Sequence, residues 1–260
     1  MSGETAKKLN KILPLLGAIG VLLFTAAIVL SITVKPTPPP VSEPSSEISS
    51  QPSSSIESFE PPPANDAIHT PLTDEELFTG SAFIGNSCVE RLFVQGYGLQ
   101  ADFLSGVGLT VHSFFTDPPA RLDRTVADLL ADGRQYNRIF ILFGINEVGT
   151  DPVLFIEKYS QLIDHVQAHQ PSAQIYVQAI LPVSRAAHDR NVYMVNNDNI
   201  RMFNQQILDM TIQKQVHFIN TFDALADAEG FLPDDVSSDG IHLSKDYNQI
   251  WINYLKEQVN

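Results

Sequence analysis

The chain has 260 residues, of which 43% are hydrophobic and 18% charged, and its formal net charge at pH 7 is −14. A surface this acidic repels phosphate backbones and anionic headgroups, so nucleic acid is not expected as a partner. The single cysteine, Cys88, excludes an internal disulfide and a zinc cluster built from cysteines.

The N-terminal part of the chain predicts a membrane anchor. The uncharged run Ile12–Val34 is long enough to cross a hydrocarbon core of about 30 Å as a helix. Lys7, Lys8 and Lys11 precede it, so the positive-inside rule predicts a cytoplasmic tail over residues 1–11. A cleaved signal peptide is the alternative, but the run exceeds the usual length of about 7–15 apolar residues and lacks a clean cleavage site. We therefore expect a single-pass protein of the cell membrane whose remainder is extracytoplasmic.

Residues 35–72 are predicted to be a linker. From Lys35 to about Ala64, Pro, Ser and Glu dominate, and apolar residues recur at neither a helix nor a strand period. Such a segment cannot bury enough apolar surface to fold, so we expect an extended spacer. The folded domain is then predicted over residues 73–260.

Short apolar runs alternate with helix-period segments in this domain. The predicted strands are Ala82–Gly85, Ala101–Leu104, Arg138–Phe143, Gln174–Ile180 and Val216–Asn220. The predicted helices are Leu122–Ala131, Pro152–His169, Asn197–Gln213 and Lys245–Gln258, with Asp151 as an N-cap before Pro152. This alternation predicts an α/β fold with a parallel sheet covered on both faces, whose sites lie beyond the carboxyl ends of the strands.

Ser87 follows the first predicted strand, in Phe83-Ile84-Gly85-Asn86-Ser87. The glycine allows a tight turn, and the N-terminus of the next helix would supply free N–H groups near the hydroxyl. A nucleophilic serine suits this place, although a serine that only caps the helix is the commoner arrangement. Cys88 is one residue away, and we interpret it as a packed helix residue.

Two further motifs carry groups that serine chemistry needs. Asp239 and His242, in Asp239-Gly240-Ile241-His242, could supply a base and the carboxylate that orients it from one loop. Asn146, in Gly144-Ile145-Asn146-Glu147, follows the most apolar strand, where its amide could donate to an oxyanion. Taken singly, each motif is more typical of an ordinary turn than of a catalytic site.

Taken together, these motifs resemble the SGNH (GDSL-like) hydrolase family over roughly Phe78–Leu255. The resemblance implies a three-layer α/β/α sandwich with a five-stranded parallel sheet in flavodoxin-like order. It assigns Ser87 as nucleophile, with Asp239 and His242 as the acid and base of the triad. Its oxyanion donors are the Ser87 N–H, the Asn146 amide and the N–H of a glycine after the second strand. Both Gly106 and Gly108 fit that glycine, and Gly108 is preferred.

The sequence departs from the family pattern at two positions. Asn86 stands where the family usually has Asp before the serine, and we expect activity to survive in weakened form because Asn keeps the size and one acceptor. Glu147 stands where the family usually has Asp after the asparagine, and we expect it not to contact the reacting ester. The loop Ser184–Asn196, with Arg185 and its neighbours His188 and Arg190, is a candidate to shape the substrate pocket.

The resemblance implies a serine esterase that hydrolyses carboxylic esters without a cofactor or metal. Membrane tethering and family habit favour short acyl groups such as acetyl, removed from cell-envelope or environmental glycans. The membrane would be contacted through the N-terminal helix alone, and the sequence indicates no oligomeric state. Three alternatives stay open: an O-acyltransferase, a catalytically silent glycan-binding module, and a lipase or lysophospholipase with an apolar groove.

Overall fold

A computed structural model of the chain describes residues 77–259. The predicted tail 1–11, the predicted anchor Ile12–Val34 and the predicted linker 35–72 lie outside the described residues, as does the predicted domain start at residue 73. Between residues 77 and 259, no helix is both long enough and apolar enough to cross a membrane.

Five parallel strands form one sheet in the order β2-β1-β3-β4-β5. The strands are β1 (Ser81–Gly85), β2 (Ala101–Ser105), β3 (Arg138–Leu142), β4 (Gln174–Gln178) and β5 (His217–Ile219). Gly85 pairs with Ser105 on one side and with Leu142 on the other, so the first three strands end level with one another. The predicted parallel sheet in flavodoxin-like order is confirmed, and its topological switch point lies between β1 and β3.

The helices are α1 (Ser87–Gln95), α2 (Ser113–Thr116), α3 (Val126–Ala131), α4 (Pro152–His169), α5 (Arg185–Arg190), α6 (Asn197–Lys214), α7 (Thr221–Leu225) and α8 (Lys245–Val259). The predicted start of α4 is confirmed, because Asp151 Oδ1 accepts the N–H of Val153 at 2.8 Å. The predicted start of α3 at Leu122 is wrong, since Thr125 caps the helix by accepting the Asp128 N–H.

The sheet has a hydrophobic layer on each face. On one face, the rings of Phe83, Phe140 and Tyr176 stack across neighbouring strands, and α1 and α8 cover them with side chains such as Trp251. On the other face, strand residues such as Ile84 pack against α3, α4 and α6. Alternate strand residues point to opposite faces, which accounts for both layers. The predicted three-layer α/β/α arrangement is therefore confirmed.

One predicted strand ends earlier than its apolar run. The run Gln174–Ile180 forms a strand only as far as Gln178. Beyond Gln178, the side chain of Asn204 on α6 binds the backbone of Ile180. Its Oδ1 accepts the Ile180 N–H at 2.7 Å, and its Nδ2 donates to the Ile180 carbonyl at 3.0 Å. These two bonds satisfy the Ile180 backbone outside the sheet, at the carboxyl end of β4.

Candidate active site

Ser87 lies at the sharp junction between β1 and α1. Gly85 ends β1, and a Cβ atom there would lie 2.4 Å from the Leu142 carbonyl oxygen, so a side chain is excluded. Asn86 is the N-cap of α1, since its Oδ1 accepts the Cys88 N–H at 3.0 Å. Ser87 is the first helical residue, and the alternative in which it serves only as the cap is wrong.

The residues on either side of Ser87 have structural environments. Asn86 is 1% exposed, and the oxygen that caps the helix is an acceptor that Asp would also supply. Cys88 is buried, and desolvation raises the pKa of its thiol to about 12. Because the thiolate is the reactive form, Cys88 is not an available nucleophile, and its interpretation as a packed helix residue is confirmed.

The side chains of Ser87, His242 and Asp239 form a continuous hydrogen-bonded chain. Ser87 Oγ lies 2.8 Å from His242 Nε2, although the two residues are 155 positions apart in the sequence. His242 Nδ1 lies 2.7 Å from Asp239 Oδ2. The fold therefore brings together a hydroxyl, a base and an orienting carboxylate in the order that nucleophilic catalysis requires.

Asp239 uses its second oxygen to fix the loop. Oδ1 accepts the N–H of Ile241 at 2.9 Å and that of His242 at 2.8 Å. Partial burial acts to raise the pKa of Asp239, but hydrogen bonds from the backbone and ring of His242 and from Ile241 outweigh it and hold that pKa well below its usual range. The ionised carboxylate favours a proton on Nδ1, which leaves Nε2 free to accept one from Ser87.

The loop that carries Asp239 and His242 is fastened to the segment after β4. Gly240 has a φ of +83°, and a Cβ atom there would lie 2.4 Å from Ser184 Oγ. Ser184 donates its N–H to the Gly240 carbonyl at 2.9 Å. Arg190 Nη2 donates to the Asp239 carbonyl, also at 2.9 Å. Both the backbone angle and the close approach require glycine at this position.

Candidate oxyanion donors come from the turn after β3 and from the segment after β2. Asn146 Nδ2 donates to the Leu109 carbonyl at 3.1 Å, which brings the amide beside the segment after β2. The Gly106 N–H donates to the Gly85 carbonyl at 3.1 Å and is therefore occupied. Gly108 has a φ of +76°, and its N–H has no hydrogen-bond partner within the described part of the chain. Of the two glycines, Gly108 has the available donor.

An open cleft of about 620 Å³ contains the Ser87 hydroxyl and the His242 imidazole. Apolar groups supply most of the remaining lining, from Ile145, Ile241 and the segment Val192–Val195. The first three residues of that segment are 54%, 87% and 54% exposed. The cleft therefore presents a largely apolar rim beside the nucleophile, formed by Val192–Val195.

The charged residues of the loop after β4 have structural roles. Arg185 pairs with Glu229 and lies 4.0 Å from the centre of the Phe231 ring. His188 Nδ1 accepts the Asn197 N–H at 3.1 Å. The apolar residues Val192–Val195 of the same predicted loop line the cleft instead, so the loop lies where it was predicted but contributes residues that the sequence analysis did not single out. A run of apolar side chains inside a predicted loop was the signal that could have indicated them.

The arrangement can support proton transfer from a hydroxyl and stabilisation of negative charge on a neighbouring oxygen. Its components are a serine–imidazole–carboxylate chain, a helix N-terminus and an amide beside an available N–H. Among residues 77–259, no three His, Cys, Asp or Glu side chains are grouped so that they could hold a metal ion.

Comparison with known proteins identifies similar folds. The model of the GDSL-like Lipase/Acylhydrolase family matches residues 86–250. A protein from Streptococcus pneumonia, described provisionally as a platelet activating factor, is 25% identical, with 74% of this chain and 87% of that chain covered and a TM-score of 0.57. A GDSL-like lipase from Bacteroides thetaiotaomicron VPI-5482 is 16% identical, with 72% and 91% covered and a TM-score of 0.55. An acetyl xylan esterase is 12% identical, with 69% and 100% covered and a TM-score of 0.51. No curated protein sequence matches the chain.

Proposed function

The chain belongs to the GDSL-like lipase/acylhydrolase family and is an ester hydrolase, and we propose that Ser87, His242 and Asp239 form its catalytic triad. The observation that carries this proposal is the hydrogen-bonded chain from Ser87 Oγ to the imidazole at 2.8 Å and from the imidazole to Asp239 at 2.7 Å. Both distances lie within hydrogen-bond reach, and the first lets the imidazole take the proton of the serine hydroxyl.

In the proposed mechanism, His242 Nε2 takes the Ser87 proton while Oγ forms a bond to the ester carbonyl carbon. The negative charge that develops on the carbonyl oxygen is stabilised by the N–H groups of Ser87 and Gly108 and by the Asn146 amide. Asp239 holds the imidazole in place and stabilises its charged form.

Collapse of the tetrahedral intermediate then breaks the bond to the alcohol, which leaves with the proton from His242. The products of this half are a free alcohol and an acyl ester on Ser87. Water gives its proton to His242 as it attacks that ester, and the second collapse releases the carboxylic acid and restores the serine hydroxyl. The balance needs no metal or redox partner.

We propose short acyl groups such as acetyl, carried on cell-envelope or environmental glycans, as the substrates. One solved structure with a similar fold is an acetyl xylan esterase, which gives a precedent for this chemistry on the fold. In this assignment the small acyl group lies against the oxyanion donors, and the alcohol extends along the cleft.

A second candidate is the hydrolysis of esters with longer acyl chains. The observation that favours it is the cleft itself, because about 620 Å³ bordered by apolar side chains exceeds what an acetyl group fills. The two candidates place opposite ends of the ester along the segment Val192–Val195, so they make different predictions for acyl-chain length.

We further propose that the domain acts outside the cell membrane, tethered by Ile12–Val34 through the linker over residues 35–72. The support is the length of the uncharged run and the lysines on its N-terminal side. Protease added to intact cells should remove the domain while leaving a cytoplasmic reporter fused to residue 1 intact. Protection of the domain in intact cells would contradict this topology.

The test of the triad uses the purified full chain and its Ser87→Ala variant. Hydrolysis of p-nitrophenyl acetate and octanoate is measured, and both proteins are treated with a fluorophosphonate probe. Turnover and labelling that disappear in the variant would support the serine mechanism, and the acetate-to-octanoate ratio separates the two substrate classes. A folded wild-type protein with neither turnover nor labelling would indicate the silent binding module instead. Acetyl transfer to a glycan acceptor, in place of acetate release, would indicate an acyltransferase.

A further inference from the structure

Glu147 has a buried carboxyl group between the two segments that carry the proposed oxyanion donors. The residue is 6% exposed, and its Oε1 accepts the Val111 N–H at 2.8 Å. The preceding residue, Asn146, donates in the opposite direction, to the Leu109 carbonyl at 3.1 Å. Two hydrogen bonds of opposite polarity therefore join the turn after β3 to the segment that directly follows Gly108.

The backbone of the same residue organises its own turn. The Glu147 N–H donates to the Gly144 carbonyl at 2.9 Å, and Thr150 Oγ1 donates to the Glu147 carbonyl at 2.7 Å. The turn that presents the Asn146 amide is thus held by the backbone of Glu147, and the side chain of Glu147 joins that turn to the segment after Gly108.

We propose that Glu147 is the positioning residue of the oxyanion site. It sets the separation between the Asn146 amide and the Gly108 N–H, so that both donors meet the same oxygen of the tetrahedral intermediate. Its carboxyl group accepts the Val111 N–H, and it acts on the ester only through the donors it positions. The inference rests on the proposed function, because it concerns the same oxyanion site.

The bond to Val111 requires one acceptor oxygen and no charge. Glu147 Oε2 is buried and has no hydrogen-bond partner among residues 77–259. Glutamine keeps an acceptor at the Oε1 position and places its amide nitrogen where Oε2 now lies. Glu147→Gln therefore preserves the connection between the segments, and Glu147→Ala removes it.

Gln170 provides a matched control at the opposite edge of the sheet. It is 1% exposed, and its side chain also holds a loop by backbone hydrogen bonds, accepting from Tyr136 at 3.1 Å and donating to Leu130 at 2.9 Å. This loop precedes β3, whereas the active site follows it. Gln170→Ala should lower the melting temperature about as much as Glu147→Ala and leave kcat unchanged.

The experiment measures kcat, KM and melting temperature for the full-length wild type and the three variants, with Asn146→Ala and the double variant alongside. We expect Glu147→Ala to lower kcat about 10- to 100-fold with KM changed less than about threefold, because misplaced donors weaken transition-state binding. Affinity for a boronic acid, which forms a tetrahedral adduct on serine, should fall in parallel, and Glu147→Gln should recover most of both losses. Glu147→Ala should lower kcat by a smaller factor in the Asn146→Ala background than in the wild type.

Three outcomes would overturn the positioning role. These are an unchanged kcat in Glu147→Ala, an equal loss in Gln170→Ala, or full additivity with Asn146→Ala. Failure of the proposed function has a different signature, because either the folded wild type would show no turnover or Ser87→Ala would retain it, whatever the Glu147 variants do.

Discussion

The carboxylate of Asp239 contacts His242 at two points. Oδ2 lies 2.7 Å from the imidazole Nδ1, and Oδ1 accepts the His242 backbone N–H at 2.8 Å. Side chain and backbone of the base are therefore fixed relative to each other by one carboxylate three residues away. The approach of this pair to Ser87 depends on the rest of the fold, through the sheet that carries β1 and through the bonds from Ser184 and Arg190 to the loop.

Replacement of Asp239 by Asn should remove both the orienting and the charge-stabilising role of the carboxylate. We expect kcat to fall roughly 10³–10⁴-fold, because an amide favours the wrong imidazole tautomer and cannot stabilise the charged ring. The stability loss should be small, since the carboxylate is 49% exposed. The pKa of Asp239 is lowered in the folded state, so its stabilising contribution is complete above the unfolded pKa of about 4 and is lost as the pH falls toward the folded pKa.

Urea unfolding of the wild type and Asp239→Asn at several pH values checks this. The stability difference should shrink as the pH falls below about 4. A difference that grows as the pH falls would contradict the assigned direction of the pKa shift.

A substitution at Gly240 tests whether the close approach of the Asp239–His242 loop to Ser184 is needed for activity. Gly240→Ala should destabilise the protein by about 1–2 kcal/mol through its φ of +83° and by more through the contact with Ser184 Oγ at 2.4 Å. The displaced loop should lengthen the Ser87–His242 hydrogen bond, so activity should fall more than stability explains.

Gly133 is the control for this variant. Its φ is +87°, and a Cβ atom there would meet no atom within 4 Å. Gly133→Ala therefore imposes the backbone strain without the collision and far from the catalytic loop. Equal activities for the two variants, measured well below their melting temperatures, would refute the role assigned to the close approach at Gly240.

Much of the fold could be predicted because parallel strands buried on both faces have apolar runs with few interruptions. The start of α4 was predictable for a local reason, since Asp151 caps within its own sequence neighbourhood. The premature end of β4 was not, because it is imposed by Asn204, 24 positions away from the backbone it binds. Such a bond leaves no local pattern in the sequence.

The candidate site divides in the same way. Ser87, Asn146, Asp239 and His242 follow strands or share a short loop, so their motifs could be recognised from order and spacing. The choice of Gly108 over Gly106 needed the β1–β2 ladder, which occupies one of the two N–H groups. The contact of Glu147 with Val111 spans 36 positions and could not be inferred from either segment alone.

Tyr193 should report which end of the substrate lies along the apolar rim. Its side chain is 87% exposed, its φ is 53°, and its carbonyl oxygen lies close to Gly149, where a Cβ atom would be 2.3 Å away from it. If the alcohol lies there, Tyr193→Ser should lower kcat/KM about 3- to 10-fold for acetates of bulky alcohols and leave ethyl acetate unchanged. A loss confined to ethyl octanoate would assign the rim to the acyl chain and favour the second candidate function.

The buried carboxyl of Glu147 should make stability decline with rising pH. Burial raises its pKa to about 7 from an ordinary value of 4.5, so between these values the folded state binds a proton that the unfolded state has lost. Stability therefore decreases as the pH rises from about 4.5 to about 7 and then levels off. The glutamine of Glu147→Gln cannot ionise. The free energy of unfolding of the variant should therefore rise relative to that of the wild type by about 1–3 kcal/mol over this pH interval. Urea unfolding of both proteins at pH 5 and pH 8 measures the change, and a stability difference that is the same at both values would show that Glu147 ionises with an ordinary pKa.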